Sequence, residues 1–180
     1  GVALRDDGGI TRWIYRQGCS AQGARQALHQ GEGLSMSPDE LELSSANVQA
    51  LYLAASEVRE RAYAPYSNFH VGAAVMDETG RIHVGCNVEN AAYPIGQCAE
   101  ASAIAAMVAA GGRQVVAAMV VGEADDTVTP CGGCRQRLRE FASDDVPVLL
   151  ADAKRVREVM SIGELLPRSF GPDHLKHQHL

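Results

Sequence analysis

Gln97-Cys98-Ala99-Glu100 and, farther along, Thr129-Pro130-Cys131-Gly132-Gly133-Cys134 decide how this chain folds and what it can hold. Each stretch lies between an apolar run and a helical one, so each is read as opening a helix beyond the end of a strand. Three thiols can fill three of the four places around a tetrahedral zinc and leave the fourth for a reactive water. Cys131 and Cys134 stand three apart, which puts both sulfurs on one side of a first helical turn. Two residues turn an ideal helix by roughly 200°, so Cys98 has to sit at the mouth of its helix if Glu100 is to reach over the same metal. Glu100 then reads as a proton carrier and not as a ligand. A helix N-terminus carries about half a positive charge. Two such ends would offset the surplus negative charge of three thiolates on a divalent ion and keep those thiols ionised. A closed structural zinc site and plain core cysteines are the competing readings. The added Cys98, the nearby Glu100 and the lack of an evident fourth ligand favour the open site.

The 180 residues are enough for one domain with an appendage, and a hydrophobic content of 46% supplies a core. Five cysteines, an odd number with three in metal spacing, argue against a disulfide framework and for a reducing compartment. No apolar run approaches the roughly 20 residues that span a bilayer, and no basic-then-apolar signal segment opens the sequence. The expectation is a cytoplasmic protein with no membrane partner. The net charge is -6, with lysine scarce and the arginines scattered. A nucleic-acid partner is therefore not expected, since tracking a phosphate backbone takes a basic patch. A neutral small molecule fits better.

Residues 1–43 show no clear period and are interrupted by glycines, so they read as a poorly ordered N-terminal extension in which Trp13, Ile14 and Tyr15 could dock on the core and Cys19 is a free thiol. From Ser44 or Ser45, either of which can cap a helix, an apolar stripe runs to about residue 62. Residues 71–76 and 82–88 form two apolar runs around the turn Asp77-Glu78-Thr79-Gly80, a hairpin. A polar loop then leads to Cys98, and 99–110 is a helix of small residues that allows close packing on a sheet. Residues 115–121 are continuously apolar, as in a strand covered on both faces. The second cysteine helix runs to about 142, 146–150 is another buried strand, and 156–162 is left open between strand and helix. Strand, strand, helix, strand, helix, strand gives an α/β fold, three layers α/β/α around a mixed, roughly five-stranded sheet. In such sheets ligands gather beyond the carboxyl ends of strands, where the two cysteine motifs fall. Residues 44–173 make up this domain, and 174–180 form a polar tail.

Five segments together resemble the small homotetrameric zinc-dependent cytidine deaminases. They are Ala64-Pro65-Tyr66-Ser67-Asn68-Phe69-His70-Val71-Gly72-Ala73-Ala74, Asn87-Val88-Glu89-Asn90-Ala91-Ala92-Tyr93-Pro94, Cys98-Ala99-Glu100, Pro130-Cys131-Gly132-Gly133-Cys134-Arg135-Gln136 and Leu165-Leu166-Pro167-Arg168-Ser169-Phe170-Gly171-Pro172. The similarity runs from about residue 47 to 173. It implies a cytidine deaminase-like fold and one zinc per subunit on Cys98, Cys131 and Cys134. It implies hydrolytic deamination of cytidine and deoxycytidine by a zinc-activated water, with Glu100 shuttling protons, and a place in pyrimidine salvage. Carried over in the same way, Asn87 and Glu89 grip the sugar hydroxyls, Phe69 packs on the pyrimidine and Ala99 contacts the substrate. Tyr93 and Phe170 approach from neighbouring subunits, which makes the active form a homotetramer. Without the resemblance, Asn87 and Glu89 also read as residues that order a turn, and Phe69 as a core ring.

The sequence departs from the family where Ala101 stands in place of an arginine that commonly follows the glutamate, which shifts charge balance to the helix ends or to Arg135. His70 replaces a common proline without evident consequence. Cys86 reads as a strand residue and not a ligand, and His174, His177 and His179 as members of a frayed tail. A related deaminase acting on the nucleoside antibiotic blasticidin S shares the cysteine motifs, but the loop from Asn87 to Pro94 favours cytidine. A non-catalytic zinc module is disfavoured by Glu100 beside an open zinc position.

Overall fold

The computed structural model describes residues 44–124 and 126–175. The expectations for 1–43 and for the histidines at 177 and 179 lie outside these residues. Helix α1 (Ser45–Arg59) starts as expected at Ser44, whose side-chain oxygen accepts from the Asn47 N–H. It ends before the expected residue 62 because Arg61 and Ala62 donate to carbonyls three residues back and tighten the last turn. Strand β1 (Val71–Asp77) pairs antiparallel with β2 (Ile82–Cys86). The hairpin is there, but β2 stops at Cys86. Val88 instead makes isolated bridges to Tyr63 and Gln97, which turns the 87–97 loop across the end of the sheet.

A short 3₁₀ turn (Tyr93–Ile95) precedes helix α2 (Ala99–Ala109), and β3 (Val115–Gly122) follows. Helix α3 (Gly132–Phe141), β4 (Pro147–Ala151), β5 (Val156–Ser161), helix α4 (Ile162–Leu165) and a 3₁₀ turn (Pro172–His174) complete the described chain. The stretch left open between strand and helix is thus the strand β5. The next turn is a helix because Ser161 and Glu164 form a reciprocal capping box.

The sheet is mixed and five-stranded, ordered β2-β1-β3-β4-β5, with β3 and β4 the parallel pair and the others antiparallel. Side chains alternate between its faces. Ala74, Met76, Leu149 and Ala151 join Val48, Leu51 and Ala55 of α1 on one side. Ala73, Val75, Val148 and Leu150 join Ala103 and Met107 of α2, Leu138 of α3 and Ile162 of α4 on the other. The result is the expected three-layer α/β/α sandwich. The small residues of α2 let it lie almost against β2. A Cβ on Gly85 would stand 2.3 Å from the Ala103 nitrogen and 2.5 Å from the Ala99 oxygen, so only glycine fits there.

At the far end of β1, Asp77 is fully buried, although the sequence places it in a turn. It accepts hydrogen bonds from the backbone N–H groups of Thr79 and Arg81, the Thr79 hydroxyl and the Arg81 guanidinium, and lies 2.8 Å from His83 Nε2. Those bonds tie the hairpin turn to its own first strand. Among the described residues no helix is long and apolar enough to cross a membrane.

Candidate active site

Because β1 runs antiparallel to both β2 and β3, the latter two point the same way. Their carboxyl ends lie on one edge of the sheet, and from that edge the chain enters α2 and α3. Cys98 is the N-cap of α2 and Cys131 the N-cap of α3, both with extended backbone and with no side-chain capping bond. Neither sulfur is therefore occupied in satisfying its own helix end. Cys134 lies in the first turn of α3, fully buried. The sulfurs of Cys98, Cys131 and Cys134 all lie within 4.8 Å of one another, and those of Cys98 and Cys131 are 3.9 Å apart.

That spacing tests what the thiols can hold. A disulfide needs sulfurs about 2.05 Å apart. Ligands about 2.3 Å from a tetrahedral zinc stand roughly 3.8 Å from each other, so these residues fit the ion. The four described cysteines, Cys86 included, are free.

Glu100 sits two residues into α2, 5% exposed, and its Oε2 accepts from the Cys134 thiol at 3.3 Å. In the absence of a cation the three thiols differ in how readily they ionise. Burial, then the Glu100 carboxylate and the Cys98 sulfur, push the Cys134 thiol far up. Burial, then Cys131, push Cys98 up as well. The Cys131 thiol is held below its usual value in spite of burial, by hydrogen bonds from the backbone N–H and thiol of Cys134 and the thiol of Cys98. A bound cation is what would make all three thiolates compatible with the neighbouring carboxylate. Arg135 directs its donors to Pro130 O, Leu165 O and the Thr129 hydroxyl, at 2.8, 2.9 and 3.0 Å. It fastens the loop that delivers Cys131.

The segment from Tyr66 to Val71 hangs on two side chains of the 87–97 loop, the loop that leads to Cys98. Asn87 accepts from Val71 N–H and donates to Phe69 O, both at 2.8 Å. Glu89 accepts from the N–H groups of Tyr66 and Ser67 and from the Ser67 hydroxyl. The same hydroxyl accepts from Phe69 N–H at 3.0 Å. Ser67, which the sequence reading did not single out, is thus the hub of this network, although a serine in a Pro-Tyr-Ser-Asn turn is a recognisable signal. These bonds hold the Glu89 carboxyl below the usual carboxylate range, the Ser67 hydroxyl contributing most. Glu89, Tyr66, Ser67, Asn90, Tyr93 and Gly96 line a cleft of about 330 Å³. Phe69 is 38% exposed, Tyr93 73% and Phe170 59%, whereas Ala99 has no exposed surface. Tyr93 leans on Tyr66, with ring centroids 5.6 Å apart.

Residues 45–150 match the family model described as the cytidine and deoxycytidylate deaminase zinc-binding region. The chain belongs to this deaminase family. Among the deaminases it resembles is the cytidine deaminase of Sporosarcina psychrophila, 40% identical over 73% of this chain and 96% of that protein. The cytidine deaminase of Mycobacterium tuberculosis H37Rv is 39% identical over 67% of this chain and 87% of that one. Of solved deaminase structures, the cytidine deaminase from Burkholderia pseudomallei superposes with a TM-score of 0.65 at 45% identity, over 68% of this chain and 98% of the other. That from Mycobacterium leprae gives 0.60 at 41% identity, over 68% and 98%.

Proposed function

We propose that this chain is a zinc-dependent hydrolase that converts cytidine and deoxycytidine to uridine and deoxyuridine with release of ammonia, in pyrimidine salvage. The observation that carries this reading is the trio of sulfurs at tetrahedral spacing with the buried Glu100 carboxylate touching one of them. Cys98, Cys131 and Cys134 would hold one zinc per protomer, which when bound supplies Lewis-acid activation of a water at neutral pH. Glu100 moves the water's proton to ring N3 as the oxygen bonds to C4, and then helps carry the remaining hydroxyl proton to the exocyclic amine, so the C4–N bond breaks, ammonia leaves and the C4 carbonyl forms.

Asn87 and Glu89 serve both readings that the sequence left open. An ionised carboxylate has about four lone-pair sites and a primary amide two donors and two lone pairs. Glu89 accepts three bonds from the 66–67 segment, while Asn87 gives one N–H and uses one lone pair. Each shapes the turn that carries Phe69 and keeps capacity for a sugar hydroxyl. A nucleoside meets that capacity; a free base leaves it unpaired.

Tyr93 and Phe170, large rings with most of their surface exposed, complete the pockets of neighbouring copies in a homotetramer. Tyr63, Tyr66, Val88 and Ile95 are exposed as well, with Tyr66 against Tyr93 and Tyr63 bridged to Val88, and exposed apolar residues gathered in this way call for a partner. Free thiols suit a reducing compartment, and we assign the protein to the cytoplasm.

The test is the fall in ultraviolet absorbance as cytidine becomes uridine, with deoxycytidine and blasticidin S as parallel substrates and each run repeated after a chelator. Turnover of the two pyrimidine nucleosides that chelation abolishes and zinc restores is expected. Turnover that survives removal of the metal, or is confined to blasticidin S, refutes the reading.

A further inference from the structure

The helix that begins at Cys131 also grips the C-terminal segment. Leu165 O accepts from Arg135 and Phe170 O from Gln136, both at 2.9 Å, and the Ser169 hydroxyl accepts from Arg139 Nε at 3.1 Å. The Arg139 side chain is 12% exposed, pairs with Asp144 at 3.1 Å and Asp173 at 3.5 Å, and reaches Ala142 O at 3.3 Å. Gly171 crosses its guanidinium so closely that a Cβ would lie 2.9 Å from Cζ. Beyond it the Pro172–His174 turn brings the His174 ring onto Phe170, with centroids 5.1 Å apart, and Gly171 N–H donates to His174 Nδ1 at 3.1 Å. His174 is therefore packed, which corrects the expectation of a frayed tail from this residue on. The backbone around Phe170 is ordered on both sides while its ring stays exposed. Ordering a segment costs conformational entropy, and here the ordered segment carries an aromatic ring that stacks on His174 and still keeps most of its surface exposed.

We propose that Arg139 is the positioning residue of Phe170. Through the Ser169 hydroxyl and the Asp173 carboxylate it clamps the 169–173 segment to α3, beside the Gln136 bond to Phe170 O, so that the ring is presented to a neighbouring copy's nucleoside pocket at a fixed offset from the cysteines that start the same helix. The proposal rests on the reading that Phe170 completes that pocket.

The experiment compares KM and kcat for cytidine in the zinc-loaded oligomer for Phe170→Ala, Arg139→Ala, Gln136→Ala and the doubles that combine each of the latter two with Phe170→Ala. Zinc content and oligomer mass are measured alongside. Phe170→Ala is expected to raise KM about tenfold, the scale of one lost aromatic contact. Arg139→Ala raises KM toward the same value with kcat and zinc content retained, and Gln136→Ala less. In the Phe170→Ala background neither adds anything, which a merely structural role would not produce. Should Arg139→Ala fail to fold, Gln136→Ala and its double carry the comparison. If Phe170→Ala leaves KM unchanged, the reading of Phe170 falls and the proposal with it. If Phe170→Ala raises KM but the clamp variants have no effect, or have effects that add to it, the proposal alone is overturned.

Discussion

The Cys134 sulfur lies 3.3 Å from a carboxylate oxygen of Glu100, one side chain from each of the two helices that open on the carboxyl edge of the sheet. A thiol and a carboxylate this close cannot both be ionised without a cation to reconcile them. In the proposed reaction this contact is where the metal and the proton carrier would meet.

Replacing the carboxylate separates those two functions. Glu100→Gln keeps the volume and the helix, and is expected to retain zinc, read by elemental analysis, while kcat falls by about 10²- to 10⁴-fold, the usual range for a lost general acid/base. Turnover close to that of the unaltered protein would remove Glu100 from the reaction.

Stripping the metal should expose the thiols. Burial holds Cys98 and Cys134 protonated in the empty site, so zinc binding must release protons, and affinity falls on acidification. Competition against a chromophoric chelator at a series of pH values measures this. The chelated protein should also react faster with a disulfide reagent at Cys98 and Cys131, and melt at lower temperature, because an ion that binds only the folded chain stabilises it. Melting curves that chelation leaves in place would contradict a site that joins two helices.

Gly85 sets the height of α2 above the sheet. A methyl group there meets backbone atoms of Ala103 and Ala99, which cannot swing aside as a long side chain would. Gly85→Ala is expected to lower stability by about 1–3 kcal/mol, the scale of an overpacked core, and to displace the end of α2 that carries Glu100. Gly132→Ala, whose Cβ would meet nothing within 4 Å, is the control and should leave the denaturant midpoint where it is or raise it.

Asp77 governs the acid limit of stability. Although burial works the other way, bonds from the Thr79 hydroxyl, His83 and the backbone N–H groups of Thr79 and Arg81 hold its carboxyl well below the usual carboxylate range. The folded value is thus depressed, and the stabilisation it brings is complete above the unfolded value, about 3.9, and is lost as pH falls from there toward the folded value. Asp77→Ala should cost about 3 kcal/mol at neutral pH, as when a buried ion pair loses one partner, and should flatten that acid decline in urea titrations. A decline as steep as in the unaltered protein would show that other carboxylates control it.

Much of this architecture was legible in residue types alone. Ser44, the apolar run from Val115 and the glycines after Ala110 mark element ends because capping and burial on both faces are local demands. Cys98, Cys131, Cys134 and Glu100 were legible because metal coordination restricts which spacings can converge. The burial of Asp77 was not, since a turn aspartate looks the same whether or not His83 and Arg81 close over it. Nor was the strand β5, whose pattern is that of a half-buried edge and matches no single period. The bonds by which Asn87 and Glu89 order the turn were visible only once Phe69 O, Val71 N and Ser67 were seen to share their polar atoms. The clamp from Arg139 to the far end of the chain depends on tertiary contact throughout.

The two halves of the thiol trio lie on either side of β3, 33 residues apart between Cys98 and Cys131. A growing polypeptide leaving the ribosome therefore shows a single sulfur ligand until the central strand has been made and the start of α3 has followed. Capture of an ion by all three sulfurs therefore waits until β3 has been made, and it would fasten the start of α3 to a helix synthesised before that strand.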